Sequence, residues 1–142
     1  MRPLAAALAL AAFLGAAACG GGEDGADVRL RVVAPDNNIR VEGVECAGAR
    51  PFEDVHAGTA FALEDGAGEV LAEGELPAGH AVNADPSIDW GIERIPTVCA
   101  FELELEGVPE REAYTLRLAG GPPLEFDAAL LAPGEPLELV VP

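Results

Sequence analysis

His56 and His80 are the only histidines in this 142-residue chain, and Ser87 is the only serine. A nucleophile and its base would have to come from these residues and from Cys19, Cys46 and Cys99. None of them stands in a nucleophile motif. The G-x-S-x-G elbow is absent, and Ser87 lies in "ADPSIDW". Both histidines fall in stretches that read as loops, where a solvated side chain is the ordinary outcome. Carboxylates are abundant, yet Glu102, Glu104 and Glu106 alternate along one extended stretch, the pattern of a solvated strand face. A glycosidase would want a cleft lined with aromatics, and the chain has one Trp and one Tyr. No catalytic residue is assigned, and the protein is expected not to be an enzyme.

Metal chemistry has more to work with. "APDNN" and "ADPSIDW" supply Asp36, Asn37, Asn38, Asp85 and Asp89, oxygen ligands of the calcium type. The twelve-residue calcium loop is missing, and turns use Asp and Asn for backbone reasons of their own. A calcium- or other metal-binding periplasmic protein therefore stands as the alternative reading, with no metal ligand assigned and no cofactor required. The cysteines lack the C-x-x-C spacing of a zinc site. The stretch from 77 to 96 is long for a connection in a small domain, so it either carries function or conceals a strand. "SIDWGI" (87–92) would be that strand, with Ile88, Trp90 and Ile92 on one side and Trp90 in the core. His80, Asp85, Asp89 and Trp90 are the candidate binding-loop residues, Trp being a frequent interface anchor.

The elements that must position these residues are short and extended. "VRLRVV" (28–33) alternates apolar residues with arginine, "APDNN" reads as a turn, and "IRVEGVEC" (39–46) resumes the alternation. "GTAFALEDGAGEVLAEGEL" reads as a hairpin turning at Asp65-Gly66-Ala67-Gly68. In "TVCAFELELEG" (97–107), Cys99, Phe101, Leu103 and Leu105 share the inward face. "EAYTLRLAG" points Tyr114, Leu116 and Leu118 inward, and "PLEFDA" and "PLELVVP" close the chain. Seven or eight strands separated by Gly/Pro turns, without a convincing helix, predict an all-β, antiparallel Greek-key β-sandwich of the transthyretin/immunoglobulin-like kind.

The N-terminus obeys other rules. Arg2, an apolar run over 4–14 and then "GAAA" have the order of a secretory signal peptide, and the run is too short to span a bilayer. Ala16, Ala17, Ala18 and Cys19, followed by Gly20, resemble the lipobox of bacterial lipoproteins, with Ala16 where a larger aliphatic is usual. The resemblance implies that residues 1–18 are removed, that Cys19 is lipidated, and that residues 19–27 ("CGGGEDGAD") tether a domain spanning 28–142 to the cell membrane or outer membrane. The same residues also fit ordinary A-x-A secretory cleavage, which would leave a free thiol at Cys19. If Cys19 carries lipid, Cys46 and Cys99 remain as a pair in an oxidising compartment, where a disulfide is the default.

A second resemblance lies in "CAFELELEGVPEREAYTLRLAGG" (99–121). It is similar to an element of small transthyretin-like (prealbumin-like) sandwiches, in which an aromatic strand runs into a G-V-P turn and a Tyr starts the next strand. Phe101, Gly107-Val108-Pro109 and Tyr114 carry the likeness, and "EDGAGEVLAEGELPAG" looks like the hairpin placed earlier in such domains. The resemblance implies a non-catalytic binding or accessory domain, while fold alone leaves function open.

Charge narrows the partners. Eight basic residues stand against 25 acidic ones, a formal charge of −17, and none of the basic residues is a lysine. Removal of Arg2 with the leader would make it −18. Such a field repels phosphate backbones, so no nucleic-acid partner is expected. The leading expectation is a lipid-anchored, non-enzymatic envelope module that recognises a protein or polymer through its loops, facing the periplasm or the cell exterior.

Overall fold

The computed structural model describes residues 25–142, so the leader (1–18), Cys19 and the glycines after it lie outside the described residues. Nine strands form: β1 (Gly25–Val41), β2 (Glu45–Cys46), β3 (Ala60–Asp65), β4 (Val70–Glu75), β5 (Gly79–Asn83), β6 (Arg94–Pro109), β7 (Ala113–Leu118), β8 (Leu124–Asp127) and β9 (Leu137–Val140). Their order is β2-β5-β6-β1-β9 in one sheet and β4-β3-β7-β8 in the other. Among the described residues the only helical piece is a 3-10 turn, Ala128–Leu130. The all-β, two-sheet architecture is the expected one. The pairing is not antiparallel throughout, because β9 runs parallel to β1, Leu30–Val33 facing Leu137–Val140. The chain crosses from β8 to the other sheet before β9, and so arrives alongside β1 in the same direction.

The long antiparallel β1–β6 pair is the spine. Val28, Leu30, Val32 and Ala34 of β1 and Cys99, Phe101 and Leu103 of β6 face the second sheet. They pack against Phe61 and Leu63, Tyr114, Leu116 and Leu118, and Leu124 and Phe126. Burying each such side chain is worth about 1.5–3 kcal/mol. Gly79 of β5 crosses directly over this core. A Cβ there would stand 2.6 Å from both Cys99 Sγ and Phe101 Cε1, so no larger residue fits unless the disulfide sulfur and the Phe101 ring give way.

Four local expectations need correction. "APDNN" does not turn the chain: β1 runs on through it as a bulge, with two extra residues between the pairs Pro35/Val98 and Asn38/Thr97. The buried Asp36 carboxylate accepts from the Asn38 amide (3.3 Å) and from Arg40 Nε (3.1 Å), and Asn37 takes φ 49°. Turn-forming chemistry is spent inside a strand. Second, Gly25, Ala26 and Asp27 belong to β1 and not to the tether. Third, Gly107-Val108-Pro109 is still strand. Gly107 (φ 63°) forms a bulge opposite residues 26–28, Val108 is buried, and the chain reverses at 110–112. Fourth, the strand concealed in the 77–96 stretch is Gly79–Asn83, while 87–92 is irregular. His80 therefore sits on a strand, not in a loop.

Two devices fix the ends of the sandwich, one within the five-stranded sheet and one between the sheets. The Cys46–Cys99 disulfide ties the two-residue β2 to β6 across a sequence separation of 53, with Cα atoms 5.7 Å apart. At the other end of the sandwich, the Tyr114 hydroxyl accepts from the Arg111 amide (3.0 Å) and donates to the Pro109 carbonyl (3.2 Å). Arg111 Nε reaches Asp65 Oδ2 at 3.1 Å, while Asp65 Oδ1 accepts from the Ala67 and Glu69 amides to close the β3–β4 hairpin. The Glu69 amide above all, helped by Arg111 and the Ala67 amide against some burial, holds the Asp65 carboxyl below the usual carboxylate range.

Two outcomes are expected. Replacing Cys46 and Cys99 together by Ala should lower unfolding stability in denaturant by about 4 kcal/mol, the chain-entropy value for a loop of this length. A loss below about 1 kcal/mol would show that β2 is held by its neighbours instead. For Asp65, the folded-state carboxyl titrates below the unfolded one. Its contribution is therefore complete above about pH 4 and lost as pH falls through the folded value. Asp65→Asn should lower Tm at pH 7 and flatten the acid limb of Tm against pH. An unchanged acid limb would remove Asp65 from this role.

Candidate functional site

The β1–β6 ladder has two ends, and they differ. At the Gly25 end, Ala26, Arg29, Arg111, Tyr114 and the 128–135 segment line a cleft of about 600 Å³. It adjoins the point where the chain enters the fold. Tyr114 and Arg111 are committed there to the corner described above, so the cleft is a by-product of how the sheets are closed.

The Val41 end, hereafter the tip, carries the sequence-predicted loop. Its backbone is shaped by acidic side chains that bond the chain just ahead of them. Asp85 Oδ1 accepts from the Ser87 amide (3.1 Å) and hydroxyl (2.6 Å), and Asp89 Oδ1 accepts from the Gly91 amide (3.1 Å), where Gly91 has φ 61°. These two turns in succession are incompatible with the extended strand expected over 87–92. The Ser87 side chain, then the Ser87 amide, lower the Asp85 pKa, so this carboxylate stays charged at neutral pH.

Trp90 is consequently not a core residue. It lies half-buried on the flank of the loop, its indole Nε1 donating to Asn83 Oδ1 at 3.1 Å. The same Asn83 oxygen accepts from the Asp85 amide (2.9 Å), and the Asn83 amide donates to Glu42 Oε1 (3.0 Å). The β1–β2 turn, the end of β5 and the loop are thus pinned to one another around a shallow cleft of about 360 Å³. Glu42, Asn83, Asp89, Trp90, Ile92 and Glu93 line much of it. Around the cleft stand Ile39, Val41, Val44, Ile88 and Ile92, the last 66% exposed. Those are five of the eight large apolar side chains that are exposed among the described residues.

Of the four candidate residues, the structure brings Asp89 and Trp90 to the cleft and places Asp85 in the adjoining turn. His80 lies apart, on the outer face of β5 between Glu45 and Ala100. His56 is exposed in the β2–β3 connection, with Nδ1 2.8 Å from the Ala57 carbonyl oxygen. The Ser87 hydroxyl is bonded to a carboxylate and not to a histidine. Asp36 is occupied by Arg40, and among the described residues no three His, Cys, Asp or Glu side chains converge as metal ligands. The calcium reading thus finds its candidate oxygens dispersed. Glu102 and Glu104 face outward as expected, each opposite an arginine, Arg31 and Arg29 respectively.

The aliphatic residues of the tip went unassigned in the sequence reading. Ile39 and Val41 share one face, as their alternation predicts, and the two-residue insertion at Asp36–Asn37 leaves that face the outer one. No family model, curated protein or solved structure matches this chain.

Trp90 tests the loop directly. Trp90→Ala should cost about 1 kcal/mol or less, against the 3–5 kcal/mol typical of a core tryptophan. Asn83→Ala should raise acrylamide quenching of the sole tryptophan without unfolding the domain. A core-sized loss for Trp90→Ala would return the residue to the interior.

Proposed function

We propose that this protein is a lipid-anchored, non-enzymatic module of the cell envelope that binds a protein partner through the tip of its β-sandwich. One observation carries the reading. The described chain enters the fold at one end of β1, and five of the eight large apolar residues exposed among the described residues stand at the other. Seventeen residues of strand separate the two ends by roughly 50 Å. A lipid on Cys19, with a short glycine-rich tether before Gly25, would hold the Gly25 end near the membrane and present the tip outward. Isolated exposed aliphatics are ordinary, but a cluster rimmed by polar residues marks an interaction surface. Aliphatic side chains with one half-buried Trp suit a protein surface better than a polar glycan, which is held by stacked aromatics and hydrogen bonds.

The finer description of the domain as a Greek-key, transthyretin-like sandwich belongs to the same proposal. It is supported by the Tyr114 hydroxyl bonding back to the Pro109 carbonyl, the device that closes strand crossovers in Greek-key sandwiches. The leader-like N-terminal sequence supports a position on the periplasmic or outer side of the envelope, anchored in the cell or outer membrane.

Two measurements test the proposal. Intact mass of the membrane-extracted protein should show a lipid adduct and an N-terminus at Cys19. A photo-crosslinking residue at position 92 should give one discrete adduct in intact envelopes, where the same residue at position 70, on β4, gives none. Equal labelling at both positions, or labelling at neither, would remove the tip as the contact surface.

A further inference from the structure

The outer face of the five-stranded sheet is divided along its length. The register of β1, β6, β5 and β9 makes the division visible row by row. Toward the Gly25 end the rows are charged: Arg29 faces Glu104, and Arg31 faces Glu102 on one side and Glu138 on the other. Beyond them the chemistry changes. Val33 stands between Val140 and Ala100, Pro35 beside Val98 with Val82 next across, and Ile39 beside Pro96. Val33 and Ala100 are both buried, yet neither belongs to the inter-sheet core cluster. Ile39 and Val140 are each more than half exposed. From Val33 to Ile39 the rows carry no charge on β9, β1 or β6; His80 and Glu45 close the Val33 row on the β5–β2 side, and Arg94 stands beside Val41 where the apolar half reaches the residues around Trp90.

We infer that this half-face and the tip together seat one partner, a protein surface that is apolar at its centre and carries arginine or lysine at its edge. The inference rests on the tip-binding reading and extends it to a second, contiguous surface. The cationic character follows from charge. Glu42, Glu45, Asp89 and Glu93 border the apolar area and are exposed, and the chain has 25 acids against 8 bases. The arginines nearest the tip are engaged within the fold, Arg40 with Asp36 and Arg94 with the Ile39 carbonyl. A second copy would bring like-charged rims together, and anionic lipid headgroups would be repelled by the same carboxylates. A cationic rim on the partner is attracted by them while the centre is desolvated.

The test uses the full chain, 15N-labelled in detergent, and three probes: a short peptide alternating leucine with arginine, its leucine–glutamate counterpart, and a short-chain, micelle-forming phosphatidylglycerol. The leucine–arginine peptide should shift the amides of Val33, Val82 and Val98 together with those of 88–93. Ile39→Asn and Val140→Asn, both at exposed positions, should each weaken it at least about fivefold. The pair Asp89→Arg and Glu93→Arg should weaken it and reduce its salt dependence. Shifts confined to 42–44 and 88–93, with Val140→Asn neutral, would overturn the half-face while leaving the tip reading intact. No shift with the leucine–arginine peptide would also overturn the inference, and crosslinking at position 92 decides the tip reading independently. Equal binding of the leucine–glutamate peptide, shifts of the Val33, Val82 and Val98 amides on adding the phosphatidylglycerol, or dimerisation without peptide would each overturn the cationic protein partner.

Discussion

The β1–β6 pairing is the constraint on which the rest of the structure depends. Among the described residues it is the pairing that runs from one end of the sandwich to the other, and β5 and β9 hang from it directly, with β2 beyond β5. Strand β9 lies along β1, and β5 lies along β6. The second sheet packs on the inward side chains of both. Because these strands are separated by more than fifty residues of sequence, the pairing closes a large loop before it gains anything. The disulfide acts within the same spine, fixing β2 to β6 at the point where Gly79 lets β5 pass over the sulfur. Without that glycine the bridge and the β5 backbone would compete for the same space.

A ladder this long survives only because it is interrupted. Sheet twist accumulates along paired strands, and bulges are the ordinary means of re-aiming a strand that outruns its partner's register. Here there is one near each end. Gly107 admits an extra residue on β6, and Asp36–Asn37 insert two on β1. The second insertion is costly in principle, because it buries a carboxylate. Arg40, four residues on, supplies the compensating charge, and the Asn38 amide supplies a hydrogen bond. Because two residues are inserted, the alternation of β1 stays in step, and Ile39 and Val41 fall on the same outer side as Arg29, Arg31 and Val33, where the apolar character of the strand reaches the surface at one end.

Much of this was legible in the residues, and the failures share one cause. The β3–β4 hairpin, the inward faces of β6 and β7, the outward glutamates and the Cys46–Cys99 bridge all follow from strict alternation or from cysteine arithmetic. What escaped was every place where turn chemistry and strand continuation compete. "APDNN" and "GVP" contain the residues of turns and became bulges. "SIDWGI" contains the alternation of a strand and became two side-chain-closed turns. Local pattern cannot decide these contests, since a partner strand at the right distance decides them. The apolar half-face did leave a trace. Residues 32–35 ("VVAP") and 98–101 ("VCAF") are each four consecutive apolar residues, and a strand apolar on consecutive positions is apolar on both faces. Only the register reveals that the two runs lie side by side, Val32 against Phe101 through Pro35 against Val98.

That juxtaposition bears on why an acidic domain would keep an apolar surface at all. A chain with this charge and no lysine gains solubility from repulsion between copies, which tolerates exposed aliphatics that a neutral domain could not carry without self-association. In the proposed function the acids would do two things with one field. On an anchored protein they would hold identical molecules apart, where a shared membrane raises their effective concentration. They would also draw an oppositely charged surface toward the apolar region. Specificity would then come from the coincidence of both features, since an anionic apolar surface is repelled and a cationic polar one finds nothing to bury. The long strand supplies the remaining condition by carrying that region away from the chain's point of entry on a rigid pair of strands.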